Sequence, residues 1–357
     1  MKIVNTFDKH RNEPDISLDE YTKEVKLKLG RDISKCKKIY LDTNYWLSFR
    51  DIILGRVKNE KFKELLILLC QGIKSERFIC PISEDILIEI LRSDHTCLDE
   101  TARIVDELSS GVSIMSTIER DRLEILYFLR RSTQGDSYVH SPDIFVWTKV
   151  PYTLGLVHPT STPFSPDEEL VVQKAFFDQM WSTSLSYMVE VMGTKTFLSI
   201  PKLKDVTETL NRDKVKFAHE NNSFKQIYLS EMAAVLEMFM HEFEDALIHF
   251  YETETGRKPQ KTELQSTKAG QQLANMIYNA LKRNKLKTYL PTLTIEASLY
   301  ASVRLDLERK FTKNDLHDFR HAQTALPYYD FFFTEHSLKD LVSRKNIELD
   351  KKYNCTV

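Results

Sequence analysis

A short apolar strand that runs straight into a carboxylate sets the strongest constraint on this chain. In KKIYLDTNYW (Lys37–Trp46), Ile39, Tyr40 and Leu41 are followed at once by Asp42, Thr43 and Asn44. A helical pattern comes next, from about Lys58 to Gly72, with Phe62, Leu65, Leu66 and Leu69 on one face. RFICPIS (Arg77–Ser83) reads as a second strand, and Ser83 caps a helix reaching about Leu91. Strand, helix, strand, helix is the order of a parallel α/β unit. The same character returns after Pro291, with helices over Ile295–Phe311 and Asp315–Ala325. A buried strand in DFFFTE (Asp330–Glu335), a helix over Ser337–Val342 and a closing edge strand in NCTV complete that end.

Between these blocks the pattern is helical. Only nine glycines occur in 357 residues, while Leu, Glu and Lys abound, which favours helix over a loop-rich or all-β design. The expected layout is a leader helix over 1–35, opened by a Ser17–Glu20 capping box and ended by Gly30. An α/β domain over 36–110 and 291–357 follows, interrupted by a mainly α-helical insertion over 111–290. The 50 basic and 52 acidic side chains nearly cancel, so no global field draws the chain to nucleic acid or membrane. Five cysteines without a C-x-x-C pair predict reduced thiols, and no stretch reaches the length of a membrane span. A cytoplasmic protein without a membrane partner is the expectation.

In a parallel sheet, ligands gather beyond the carboxyl ends of the strands. Asp42 and Glu335 each follow a strand directly, which predicts both on one rim. On a helical wheel, Leu316, Phe319, Ala322, Ala325 and Leu326 make an apolar face with Asp318 at its edge. An acid in that position costs several kcal/mol unless something positive or hydrogen-bonding meets it. Glu89 falls on the polar side of its helix with Asp85 and Arg92. Plainer roles are open to each residue: Asp42 or Asn44 as a helix cap, Asp318 as a first-turn acid, Glu89 as a solvated glutamate, Glu335 as turn material.

As a set, IYLDTNYW, CPISEDILIEIL and NDLHDFRHAQTALPYYDFFFTE resemble the blocks that carry the acids of the PIN-like nuclease family. The resemblance covers roughly 36–95 and 295–357. It implies a parallel-sheet, three-layer PIN-like domain whose acids hold Mg²⁺ or Mn²⁺ and hydrolyse phosphodiester bonds, usually in RNA. Asp42, Glu89, Asp318 and Glu335 would be the catalytic, metal-binding acids. Thr43 and Asn44 would support Asp42, and His317 and His321, on the exposed side of their helix, would either meet phosphate or be ordinary surface histidines. Hard oxygen donors without His or Cys suit Mg²⁺ or Mn²⁺ rather than zinc. The fourth acid is Glu335 where the family places Asp, and the insertion is longer than a minimal member carries. A ribonuclease is thus expected, with a toxin or anti-phage role in keeping with the family. The alternatives are a structure-specific DNA nuclease, or a degenerate scaffold whose helical part binds a protein partner.

Gly256–Ile295 holds eight Lys or Arg and one acid. It reads equally as a nucleic-acid footprint, through Arg257, Lys258, Lys282, Arg283, Lys285 and Lys287, or as a solvated basic surface. RDKVKFAH (Arg212–His219) fits the loose Arg…His pattern of HEPN-type ribonucleases, a match that ten histidines make common by chance.

Overall fold

The structure is a computed structural model that describes residues 4–93, 95–134, 140–193, 205–220, 223–260, 262, 268–283 and 289–357. Its strands are β1 (Lys37–Leu41), β2 (Phe78–Ile79), β3 (Val112–Ile114), β4 (Trp147–Lys149) and β5 (Phe331–Phe333). The helices begin with α1 (Phe7–Arg11), α2 (Leu18–Ile33), α3 (Thr43–Ile53), α4 (Glu60–Lys74), α5 (Glu84–Arg92) and α6 (Leu98–Ser109). They continue as α7 (Thr117–Gln134), α8 (Pro142–Phe145), α9 (Pro166–Trp181), α10 (Leu185–Met192), α11 (Thr207–Lys216) and α12 (Phe224–Met238). The last are α13 (Met240–Thr255), α14 (Ala269–Lys282), α15 (Pro291–Leu305), α16 (Lys313–Tyr328), α17 (His336–Val342) and α18 (Leu349–Tyr353). The chain is therefore mostly helical with a small parallel three-stranded sheet. No helix among the described residues is long and apolar enough to cross a membrane.

Two compact units are present. The first comprises Met1–Ser116, Asp143–Pro201 and Tyr329–Phe333. Its sheet has the order β2-β1-β5, parallel throughout, with Ile39, Tyr40 and Leu41 opposite Phe331, Phe332 and Phe333. Asp330 fixes that register, accepting from Lys38 N at 2.9 Å and from Lys37 Nζ at 2.7 Å. A parallel bridge between Ile82 and Ser113 adds the antiparallel β3–β4 pair beside the second strand. Strands covered on both faces read as continuous apolar runs, and β1 does so. Tyr40 packs edge-on against Tyr329 and Phe332, at centroid distances of 5.0 and 5.3 Å. The leader docks on α9 through His10 and Tyr21, both bonded to Asp178, at 2.8 and 2.6 Å.

The second unit comprises Thr117–Pro142, Lys202–Tyr328 and Thr334–Val357. Its core joins α7, α12, α13, α14 and α15 through Ile125, Phe128, Met232, Phe243, Ile277 and Leu293. One carboxylate is sunk into it. Glu124 on α7, 1% exposed, accepts from Thr292 N at 3.1 Å, Thr292 Oγ1 at 2.7 Å and Tyr328 OH at 2.6 Å. It thereby satisfies the first turn of α15, whose N-terminal N–H groups have no intrahelical partner.

Burial pushes the Glu124 carboxyl up to about 7, against those three bonds and the Arg120 charge. The folded chain keeps this proton to about pH 7, while the unfolded chain releases it near 4.5. The stability it contributes is complete below that lower value and is lost as pH rises through the upper one. Glu124→Gln fits the same site: its oxygen takes the Thr292 amide, and its NH₂ donates to the two hydroxyls. The variant should lose less stability than the wild type between about pH 5 and pH 8, by a few kcal/mol in urea unfolding. Equal slopes for the two proteins would refute the assignment.

Candidate metal centre

The ladder carries β1 into the site. Asp42 N donates to Phe333 O at 3.0 Å, so Asp42 is held as the first residue beyond the strand pairing. Its backbone is extended (φ −60°, ψ 154°), and its carbonyl accepts from Tyr45 N at 2.9 Å, opening α3. The side chain makes no capping bond although it stands at the cap position. The cap reading of Asp42 therefore does not hold. Trp46, fully buried, pins the turn from behind by donating Nε1–H to Leu41 O at 3.0 Å.

The second acid arrives on α5. Ser83, 1% exposed, accepts from Ile86 N at 3.3 Å and shares a 2.9 Å bond with Tyr40 OH, tying the start of α5 to β1. That anchor sets the phase of the helix. Asp85 is buried, and Glu89, four residues on and on the same face, is half-buried and accepts a hydrogen bond from Thr43 Oγ1. Burial and the nearby Asp85 charge push the Tyr40 phenol well up. Asp42 is itself 6% exposed. Acids gathered this closely repel one another, and a cation relieves that repulsion.

One oxygen of Asp42 and one of Glu89, both in the first unit, lie within 4.8 Å of each other. The two are close enough to share one metal ion. No known family model, curated protein or solved structure matches the chain. The reading therefore rests on the residues themselves.

His321 corrects the wheel. It was expected on the exposed side of its helix, yet it is 2% exposed. Ten residues of α16 are buried, and they lie around the whole circumference of its second half, Thr324 and Tyr328 included. One sequence signal was there to be read: His321–Tyr329 carries no Asp, Glu, Lys or Arg, which marks a helix wrapped by protein on all sides. His317 is half-buried. Asp318 is also half-buried, one turn before His321. Glu335 is exposed at the N-cap position of α17, without a side-chain cap bond. Asn44 is exposed at the start of α3.

Of the basic residues, Arg257 and Lys258 are exposed just past the end of α13, and Lys282 and Arg283 are exposed at the end of α14. Lys285 and Lys287 lie outside the described residues. In the Arg212–His219 stretch, Arg212 and His219 are both exposed, whereas Lys214 is buried.

Proposed function

We propose that this chain is a divalent-metal-dependent nuclease of PIN-like, three-layer type that cleaves RNA in preference to DNA. The observation that carries the reading is the Asp42–Glu89 pair, whose carboxylate oxygens lie within 4.8 Å of each other beyond the carboxyl end of β1. The donor set suits a metal. Two carboxylates are hard oxygen donors and suit Mg²⁺ or Mn²⁺.

A divalent ion held there supplies Lewis-acid polarisation of the scissile phosphate and lowers the pKa of a bound water. The protein's own residues do the positioning. Asp42 is fixed by the ladder and by Trp46, and Thr43 holds Glu89 in place. Asp318 and Glu335 serve the same chemistry as water-holding or second-ion acids. Asn44, exposed beside Asp42, and His317 meet the phosphate backbone. Arg257, Lys258, Lys282 and Arg283 track the strand by charge. The working compartment is the cytoplasm, where a toxin or defence role is in keeping with such an enzyme.

The deciding experiment offers full-length protein labelled single-stranded RNA and DNA, with Mn²⁺, Mg²⁺ or EDTA. Cleavage of RNA with Mn²⁺ or Mg²⁺, and none with EDTA, is expected. No cleavage of either strand, together with no Mn²⁺ binding by calorimetry, would sink the proposal in favour of a protein-binding scaffold.

A further inference from the structure

The helix that carries Asp318 and His321 is held from outside by a short helix with almost no apolar anchorage. Among its ten residues α11 buries only Thr207 and Lys214. Both carry polar groups, so little hydrophobic burial holds this helix down. Its attachments are polar and converge on the loop Asp306–Thr312, which joins α15 to α16.

Asn211 makes a two-point contact there. Its Nδ2 donates to Phe311 O at 2.9 Å, and its Oδ1 accepts from Phe311 N at 2.8 Å. A single side-chain amide thus pairs with both polar groups of one residue, as a neighbouring strand would. That fixes Phe311, 3% exposed, against Tyr300 at a 5.6 Å centroid distance, and Tyr300 in turn meets Phe319 of α16 at 5.2 Å. Lys214, 6% exposed, donates its ammonium to the carbonyls of Asp306 and Arg309. Asp306 is the C-cap residue of α15, so a positive charge here also meets the negative end of that helix.

The loop passes the constraint onward. Arg309 donates to Asp315 Oδ1 at 2.5 Å, and Asp315, 2% exposed, accepts from Thr312 N at 2.7 Å, while Asp315 N donates back to Thr312 Oγ1. This reciprocal pair starts α16, one turn before Asp318 and two before His321. Lys313 adds an exposed contact to Asp205, just ahead of α11.

We propose that α11 is a clamp that positions the metal-binding helix α16, with Asn211 and Lys214 as its positioning residues. The metal half of this inference rests on the function proposed above. The mechanical half rests on the hydrogen bonds alone. It also gives the Arg212–His219 stretch a use that needs no HEPN-type chemistry, since Lys214 at its centre is engaged in the clamp.

The test uses Asn211→Ala, the milder Asn211→Asp, which keeps the bond to Phe311 N and loses the one to Phe311 O, and the exposed Arg212→Ala as control. Amide hydrogen exchange of the 306–321 segment should speed up at least about tenfold in Asn211→Ala and less in Asn211→Asp, with the global unfolding midpoint little changed. Mn²⁺ affinity should fall by about 10- to 100-fold, the cost of losing support for a ligand, whereas Arg212→Ala leaves both readouts unmoved. Unchanged exchange in 306–321 for both Asn211 variants would overturn the clamp. If the wild type bound no Mn²⁺ while exchange still rose in Asn211→Ala, the clamp would stand and the metal reading would fall.

Discussion

Asp42→Asn should remove Mn²⁺-dependent cleavage while leaving the protein folded. The reasoning starts from the side chain's burial without a capping role. Asp42 closes the β1 ladder through its backbone N–H and opens α3 through its carbonyl, and Asn preserves both. What changes is the charge. An amide oxygen is a far poorer ligand than a carboxylate, and loss of even an outer partner of a metal ligand costs about 10- to 100-fold, so loss of a ligand itself should exceed about 100-fold. Without metal, one negative charge fewer beside Glu89 removes repulsion, so the unfolding midpoint should hold or rise. Thr43→Val, which takes away the hydroxyl bonded to Glu89, should land within the 10- to 100-fold range. Calorimetry with Mn²⁺ and a cleavage time course check both variants. Wild-type turnover in Asp42→Asn would remove Asp42 from the chemistry.

Trp46→Ala should have the largest effect on stability. The indole is fully buried, and its N–H bonds to Leu41 O at the turn that aims Asp42. Truncating a buried aromatic of this size costs about 3–5 kcal/mol, in proportion to the cavity left behind. Trp46→Phe separates the two contributions, because it keeps most of the ring and leaves the Leu41 carbonyl without its donor, at about 1–3 kcal/mol. Urea unfolding of the three proteins gives the values. A loss below 1 kcal/mol in the alanine variant would mean that the site collapses around the gap and that Asp42 is aimed by something else.

Local rules were legible where a single element decided the outcome. The Ser17–Glu20 capping box forms as its spacing implies, Ser83 caps α5, and β1 ends on Asp42. The failures come from contacts distant in sequence. Gly30 does not end its helix: α2 continues to Ile33, and a Cβ at Gly30 would stand 1.8 Å from the Ile144 carbonyl. The glycine is there to let another backbone approach, which no pattern within 1–35 reveals. The helix expected over Ile295–Phe311 stops at Leu305, because Phe311 is buried from a loop rather than from a helix face. β3 and β4 were missed inside a stretch read as helical, since three residues are too few to show an alternating period. The expected closing strand over 354–357 is reduced to a single β-bridge residue, Thr356. His321 was misjudged because a wheel assumes one wet side, and the second half of α16 has none.

The central strand has a consequence for how the protein comes into being. Lys38 meets Asp330 across 292 residues of sequence, so one edge of β1 stays open until the segment that carries β5 has left the ribosome. The lip on which Asp42 sits cannot set before then, because Asp42 N has Phe333 O as its ladder partner. A broken message or a stalled synthesis would yield chains that own the acid but lack the frame that aims it. The topology withholds the frame around Asp42 until β5 has been made.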